Sequence, residues 1–428
     1  MSNGRPRPVP DSVSPSGYVE LVRTNVNFRR LWGGNIVSLF GDWFNTIAIY
    51  RLIEELTGSP LALGAVFITK MLPLALASPV AGLIVDRWNR RRVMIGADLI
   101  RAVVVLGFLL VGDAADVWLI YALTALQVTI SAVFNPAKSA SIPNIVPGQD
   151  LLTANALMSA TWSTMLAIGA AVGGLAVEAL GPQAVFVIDS ATYLVSAWFI
   201  WRTVIPQDTE AAEPTATPVR DGLRTIVEGW RRMRERPSVG RIALAKAAWG
   251  IGGGAPVFML VLLAEALMPD QPALGIGLLY SARGLGTGLG PILARAWLPD
   301  AQRWPALLGV CMALSGLGYI LISQVGWLWV VVPLVIFAHA ASGANWVLST
   351  VLLQQRTEDR FRGRVFATDW LLVTLVESAS VLAAALLLEY AVASLGTIIF
   401  LFASVQVLTG FVWLLTVVPA ERRHPISE

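Results

Sequence analysis

Long apolar runs alternate with short polar links along almost the whole chain, and each run has the length of a membrane-crossing helix. A helix needs about 20 predominantly apolar residues to cross the hydrocarbon core of a bilayer. The pattern predicts an all-α membrane protein with twelve transmembrane spans, at about 31–53, 61–85, 93–112, 117–137, 152–180, 183–203, 241–266, 273–297, 306–324, 327–350, 365–391 and 396–418.

One link is much longer than the others and divides the spans into six and six. Its first part, "PQDTEAAEPTATPVRDG", has the composition of a disordered linker. Its second part, "LRTIVEGWRRMRERP", has the Arg-rich amphipathic pattern of a helix on the membrane surface. We expect residues 1–17 and about 206–218 to be the most mobile. The predicted organisation is an N-terminal segment at 1–30, two pseudo-symmetric six-helix halves at 31–203 and 241–418, a linker with an amphipathic helix at 204–240, and a tail at 419–428.

Composition and charge agree with this topology and give it an orientation. Hydrophobic residues make up 56% of the chain and charged residues 14%, whereas soluble domains carry roughly a quarter charged residues. If the N-terminus is cytoplasmic, 26 of the 31 Lys and Arg residues fall on the cytoplasmic side. The positive-inside rule therefore predicts a multi-pass protein of the cell membrane with both termini in the cytoplasm.

Polar side chains recur at helical spacing on several spans, and some of them are charged. In the first span, Asn35, Ser38, Asp42 and Asn45 share one face. Such a stripe must face protein or water, and either hydrogen bonding between helices or a water-filled cavity would account for it. Several long, charged stripes favour a cavity between two halves, as in a secondary transporter. The candidate residues for proton coupling and the substrate cavity are Asp42, Asn45, Lys70, Gln127, Asp189, Arg283, His339, Asn345 and Glu377.

The carboxylate of Asp42 is the main candidate for proton exchange. At 1.5 Å per residue it lies roughly 18 Å into the first span, near the midplane of the membrane. An ionised carboxylate there is costly, so it either takes up and releases a proton or is neutralised permanently by a partner such as Lys70. Glu377 is the second candidate for protonation.

The remaining charges of the spans have simpler or more open interpretations. Asp98 and Arg101 are three residues apart on one helix and should neutralise each other. Arg283 could meet an anionic substrate or pair with an acid, and His339 could carry protons or be a hydrogen-bonded packing residue. Asp369 lies near the end of its span and fits a gate better than the cavity.

A motif between the second and third spans resembles a known signature. In "GLIVDRWNRRRVM", Gly82, Asp86, Arg87, Arg90, Arg91 and Arg92 match the G-x-x-x-D-R/K-x-G-R-R/K-R/K pattern of the major facilitator superfamily, with Asn89 in place of the usual glycine. The resemblance implies that fold, and a cytoplasmic gate formed by Gly82, Asp86, Arg87, Arg90, Arg91 and Arg364. We expect Asp86 to pair with a basic residue or a helix N-terminus at the start of the eleventh span, near Arg362, Gly363 and Arg364.

Several sequence segments along the chain are similar to one branch of that superfamily. "FRRLWGGNIVSLFGDWF", "LTANALMSA" and "RGRVFATDW" resemble the branch of macrolide-efflux proteins and the enterobactin exporter. The resemblance implies proton-coupled efflux of amphipathic small molecules, an antiporter activity that gives multidrug resistance. The alternative is a siderophore or lysophospholipid exporter or flippase without proton coupling. Two positions depart from the antiporter pattern: Ala170 stands where proline is usual in "GAAVGG", and Gln127 lies where many antiporters carry arginine.

Other functional classes find less support in the sequence. An intramembrane enzyme would need a catalytic set, and H-E-x-x-H, G-x-S-x-G and Walker A patterns are all missing from the sequence. A receptor or scaffold would not explain polar stripes on so many spans. We expect no enzyme activity, no catalytic residues, no metal and no cofactor. The expected partners are a small-molecule substrate, protons and membrane lipids but not nucleic acid, and the chain should be a monomer.

Overall fold

Thirteen α-helices follow one another in the computed structural model, which describes residues 16–207, 218–297 and 300–423. Most of the two segments expected to be mobile, 1–17 and about 206–218, lies outside the described residues. The helices are α1 (Tyr18–Thr24), α2 (Val26–Thr57), α3 (Pro60–Arg87), α4 (Arg90–Leu106), α5 (Val117–Ile145), α6 (Leu151–Trp201), α7 (Pro218–Glu235), α8 (Pro237–Leu267), α9 (Pro272–Trp297), α10 (Trp304–Ile322), α11 (Leu328–Arg356), α12 (Asp359–Glu389) and α13 (Leu395–Arg423).

A sharp bend divides α6 into two limbs. Gly181 has φ 79°, a left-handed value that glycine adopts without strain, and Pro182 follows it inside the helix. The chain reverses direction there, so each limb is a separate span. Ten helical stretches of the described chain are long and apolar enough to cross a bilayer, and α6 contains two spans. The twelfth span is α9. It is less apolar than those ten stretches because it contains six glycines and one arginine near its middle. The predicted all-α fold with twelve spans is confirmed.

The two six-helix halves, α2–α6 and α8–α13, meet along two pairs of helices. The first limb of α6 packs against α9, and α3 packs against α12. A Cβ atom on Gly174 would lie 2.5 Å from the carbonyl oxygen of Ala273 and 2.9 Å from Cα of Gly277. Only glycine allows these two backbones to come so close, as at other interfaces between membrane helices.

The hydrophobic core differs between the two ends of the bundle. We call the end that carries α1, α7 and the C-terminus of α13 the terminal face, and the other end the opposite face. Near the opposite face one core includes both halves, and in it Phe67 and Phe258 lie 5.6 Å apart between ring centroids. Near the terminal face the described residues form two separate cores, one around Phe28 and Met94 and the other around Ile242 and Met312. The halves are therefore joined at the opposite face and divided at the terminal face.

The helix α7 lies at the terminal face against the start of α12. Glu228 accepts a hydrogen bond from Arg224 at 2.7 Å and pairs with Arg364 at 3.1 Å. Thr368 donates to the carbonyl oxygen of Ile226 at 3.0 Å. α7 also contacts α3 of the first half, so it connects the two halves at the face where their cores are separate.

Candidate functional site

The carboxylate of Asp42 belongs to a hydrogen-bonded cluster inside the first half. The hydroxyl group of Tyr193, on the second limb of α6, donates to Asp42 Oδ1. The same hydroxyl oxygen accepts a hydrogen bond from Gln127 Nε2 of α5 at 2.9 Å. Tyr193 is fully buried, whereas Asp42 is partly exposed. Three helices thus position one accessible carboxylate, which we name with its partners the Asp42 cluster: Asp42, Thr46, Lys70, Gln127, Asp189 and Tyr193.

A second carboxylate, that of Asp189, completes the acidic part of the cluster. It is fully buried, and its Oδ1 accepts a hydrogen bond from Thr192 at 3.2 Å. Its Oδ2 has no hydrogen-bond partner among the described residues. Gly41 faces Asp189 and Thr192 so closely that a Cβ atom there would clash with both. Gly41 therefore allows α2 to approach α6 and brings the two carboxylates into one electrostatic environment.

Lys70 contacts the cluster without forming an ion pair within the described residues. Its Nζ atom donates to Thr46 Oγ1 at 2.7 Å, and Thr46 in turn donates to the backbone carbonyl of Asp42 at 2.7 Å. The ammonium group also lies 5.8 Å from the ring centroid of Tyr50. Lys70 therefore reaches Asp42 through Thr46 rather than by a direct contact. The direct neutralisation of Asp42 by Lys70, left open by the sequence, does not occur in this structure.

The pair of Asp98 and Arg101 supports the cluster from outside. The two side chains form a buried ion pair three residues apart on α4, so the expectation that they neutralise each other is confirmed. The guanidinium group lies between two rings, 4.3 Å from the centroid of Phe134 and 4.4 Å from that of Tyr193. The sequence reasoning missed Tyr193. Its spacing of four residues from Asp189, which puts both on one helical face, was the available signal.

The candidate charges of the second half lie on α9 and α12. The Arg283 guanidinium stacks 5.6 Å from the centroid of Tyr280, and its Nε atom has no hydrogen bond within the described part of the chain. Glu377 packs against α8, where its Cγ atom would lie 3.1 Å from a Cβ atom on Gly250. No ion pair of 4.0 Å or less joins Arg283 and Glu377. Tyr280 connects this region to the first half, 6.2 Å from the ring of Trp43.

Three further candidates are buried between helices. His339 has a hydrogen bond at each ring nitrogen, to Tyr319 at 2.8 Å and to Ser342 at 3.3 Å. These contacts match the packing interpretation of the histidine rather than the proton carrier. Asn45 and Asn345 are each 1% exposed, and Asn45 has neither amide atom hydrogen-bonded to a described residue. Buried amides without partners are costly unless water or a ligand reaches them.

Sequence reasoning also missed an ion pair inside the second half. Lys246 Nζ lies 2.7 Å from Asp369 Oδ2, and both side chains are almost completely buried. The Lys246 ammonium group lies 5.2 Å from the ring centroid of Trp346 and 5.7 Å from that of Phe366. The available signal was that each charge follows the start of its helix, α8 or α12, by about ten residues, at the same depth.

The expected gate motif is only partly visible. Gly82, Asp86 and Arg87 belong to α3, but the Asp86 side chain lies outside what the structure describes, so the expected pairing of Asp86 stays a prediction. Arg90 donates to the carbonyl oxygen of Ala140 at 2.8 Å and to Asn144 at 2.9 Å. Arg91 binds the backbone carbonyl groups of Ile200 and Trp201.

The gate arginines that the structure describes bind helix ends of the first half or the helix α7. Arg90 and Arg91 bind helix ends of the first half, where free carbonyl groups attract cations. Arg364 pairs with Glu228 of α7. Within the described part of the chain, no group of three or more His, Cys, Asp or Glu side chains is placed to hold a metal ion.

Comparison with known proteins gives the family. The sequence profile of the Major Facilitator Superfamily matches residues 31–376. The uncharacterized MFS-type transporter YfiS of Bacillus subtilis is 26% identical over 216 residues, about half of each chain. An uncharacterized MFS-type transporter of Mycobacterium tuberculosis is 28% identical over 416 residues, 91% of each chain.

A named efflux protein and a solved structure agree with this assignment. The macrolide efflux protein A of Streptococcus pyogenes is 24% identical over 84% of this chain and 89% of that protein. The crystal structure of a mutant of the peptide transporter POT superimposes with a TM-score of 0.75 at 13% identity, over 96% of this chain and 97% of that one. The profile match covers most of the chain, so this protein belongs to the major facilitator superfamily of membrane transporters.

Proposed function

We propose that this transporter exports amphipathic small molecules by alternating access, and that proton exchange at Asp42 drives the export. The observation that carries the proposal is the hydrogen bond from Tyr193 to the partly exposed carboxylate of Asp42, beside the buried carboxylate of Asp189. An accessible acid held in a buried network can gain or lose a proton when the surrounding helices move. The similarity to a macrolide efflux protein supports efflux as the direction.

The hydrogen bond gives the proton a way to act on the helices. An ionised Asp42 accepts strongly from the Tyr193 hydroxyl group and so holds α2 to the second limb of α6. Protonation weakens that acceptor, and the contact between these helices weakens with it. A proton therefore favours one arrangement of the first half over the other, which is the requirement for coupling.

In this proposal an amphipathic substrate binds between the halves, next to their aromatic contacts. Trp43, Tyr50 and Tyr280 form aromatic contacts across the two halves, with ring centroids about 6 Å apart. Arg283 and Glu377 add one group of each charge on the second half. Apolar walls with a few polar groups are typical of small-molecule sites.

The proposal includes a location and an assembly state. The terminal face carries the N-terminal helix α1, the Arg-rich α7 and the end of α13. The positive-inside rule puts this face in the cytoplasm of the cell that makes the protein. In this proposal the transporter acts as a monomer in the cell membrane and takes up the molecule for export from the cytoplasmic side.

Transport by purified protein in liposomes tests the proposal. A macrolide loaded on the terminal-face side should move uphill only when a pH gradient is imposed. Asp42→Asn should lose uphill movement by at least about tenfold and keep downhill movement, since one charge-assisted hydrogen bond contributes roughly 1.5–3 kcal/mol. Glu55→Gln is the matched control on the same helix, because Glu55 pairs with Arg51 near the opposite face. Equal uphill transport by Asp42→Asn would contradict proton exchange there, and transport that ignores the pH gradient would favour the uncoupled siderophore or lysophospholipid exporter.

A further inference from the structure

A groove on the outer side of the first half differs in character from the Asp42 cluster. It has a volume of about 640 Å³ and lies between α3, α4 and α5 near the terminal face. Its walls are almost entirely apolar, and its lining includes Ile84, Gly96, Ile100, Ile130 and Val133. Its size falls within the roughly 300–1,000 Å³ of small-ligand sites. Ile100 on the span α4 belongs to the lining and is 52% exposed, so a molecule in the groove would come from the bilayer.

At the mouth of the groove lies an arginine whose guanidinium group contacts no polar partner among the described residues. Three arginines are consecutive at the start of α4, and Arg90 and Arg91 bind carbonyl groups of α5 and α6. Arg92 lines the groove with an exposed side chain, and its guanidinium group has no hydrogen bond or ion pair within the described part of the chain. Trp88, 66% exposed, lies beside it at the depth where tryptophan marks the membrane interface.

The groove and the arginine are arranged like the two parts of a phospholipid. From Arg92 to Ile100 the helix advances roughly 12 Å into the membrane. A phosphate group at Arg92 would make charge-assisted hydrogen bonds, and an acyl chain would fill the apolar length below it. Gly96 leaves this path open, since a Cβ atom there would meet nothing within 4 Å.

We propose that this groove binds one anionic phospholipid of the surrounding bilayer, with its phosphate on Arg92 and an acyl chain against Gly96 and Ile100. The bound lipid would brace α3 against α4 next to the loop that joins them. The charge of Arg92 sets the preference for an anionic headgroup, because a basic residue near an anionic lipid surface contributes to binding and a zwitterionic headgroup offers less. The site does not depend on the proposed transport function.

Lipid binding by the purified full-length protein tests the proposal. Native mass spectrometry would measure the dissociation constants of dioleoylphosphatidylglycerol and dioleoylphosphatidylcholine in mild detergent. Arg92→Gln should weaken phosphatidylglycerol about fivefold and phosphatidylcholine distinctly less, given the contribution of one arginine at an anionic surface. Arg92→Lys should stay within about twofold of the wild type, because it keeps the charge.

Two further variants separate this site from general attraction to the membrane. Gly96→Leu projects a side chain into open space in the groove, so it should fold and should weaken both lipids. Arg422→Gln removes an exposed charge elsewhere on the terminal face and should change neither. Unchanged phosphatidylglycerol binding by both Arg92→Gln and Gly96→Leu would overturn the proposal, and so would a loss in Arg422→Gln as large as that in Arg92→Gln.

Discussion

Lys246 of α8 and Asp369 of α12 form an ion pair with 2.7 Å between Nζ and Oδ2, and their side chains are 5% and 2% exposed. Two charges buried so deeply stabilise a protein only as a pair, because the loss of solvation is large for each one. The pair therefore holds α8 and α12 in one arrangement within the second half.

Removing one partner should be much worse than removing both. Lys246→Met leaves Asp369 buried without a partner and should lower the free energy of unfolding by about 3–5 kcal/mol. The double variant Lys246→Met with Asp369→Leu should recover most of that loss. Denaturant unfolding in detergent micelles measures both. Arg51→Met is the control, since its pair with Glu55 is partly exposed to solvent and contributes no more than about 1 kcal/mol. A loss that small for Lys246→Met would contradict the prediction.

The hydroxyl group of Tyr193 should matter for coupling more than for folding. Tyr193→Phe keeps the ring against the Arg101 guanidinium and removes the two hydrogen bonds of the hydroxyl group, the one donated to Asp42 and the one accepted from Gln127. We expect uphill transport driven by a pH gradient to fall about tenfold, while downhill transport remains. Tyr121→Phe removes a hydroxyl group that donates to the carbonyl oxygen of Ala62 and serves as the control. Equal effects of the two substitutions would show that the Asp42 contact has no special role.

The contact between Gly174 and α9 should tolerate no side chain. Gly174→Ala places a methyl group 2.5 Å from the carbonyl oxygen of Ala273, so the halves must shift apart. We expect a loss of about 1–3 kcal/mol in the free energy of unfolding. Gly148→Ala is the matched control, because a Cβ atom there meets nothing within 4 Å. A lower melting temperature for Gly174→Ala but not for Gly148→Ala would agree with the close contact, and equal melting temperatures would not.

The attachment of α7 to α12 should depend on pH. The hydrogen bond from Arg224, together with the charge of Arg364, holds the pKa of the Glu228 carboxyl below its usual value of 4.5. A lowered pKa in the folded state means that the contact contributes fully above about pH 4.5 and is lost as the pH falls through the lowered value. A spin label at Val227, 65% exposed on α7, should therefore become more mobile in acid.

A substitution should reproduce this effect at neutral pH. Glu228→Gln removes the charge that pairs with Arg364, so the same spin label should be mobile without acid. Glu235→Gln is the control, because Glu235 pairs with Arg231 inside α7. If acid and Glu228→Gln both leave the label unchanged, another contact, such as that of Arg232 with Glu358, holds α7 in place.

Contacts within one helix could be predicted from the sequence, and contacts between helices could not. The spans and the pair of Asp98 and Arg101 follow from periodicity, which depends only on the chain's own geometry. The hydrogen bond between Tyr193 and Asp42 joins positions 151 residues apart. It depends on the rotation of α6 against α2, which the close approach at Gly41 fixes.

The contacts of the gate arginines also could not be predicted from the sequence. The motif pattern indicates a contact between halves through Asp86, whose side chain lies outside the described residues, and it does not indicate that Arg90 and Arg91 bind carbonyl groups at the ends of α5 and α6. Free carbonyl groups occur at the end of every helix, so the sequence does not say which of them an arginine will reach.

The uneven core gives this transporter an expected thermal signature. Opening the opposite face would expose apolar surface that both halves now share, including Phe67 and Phe258, whereas the terminal face shares no such core among the described residues. Exposure of apolar surface to water raises the heat capacity. The exchange between the two open forms should therefore have a curved van't Hoff plot, and cooling should weaken the hydrophobic force that keeps the opposite face shut.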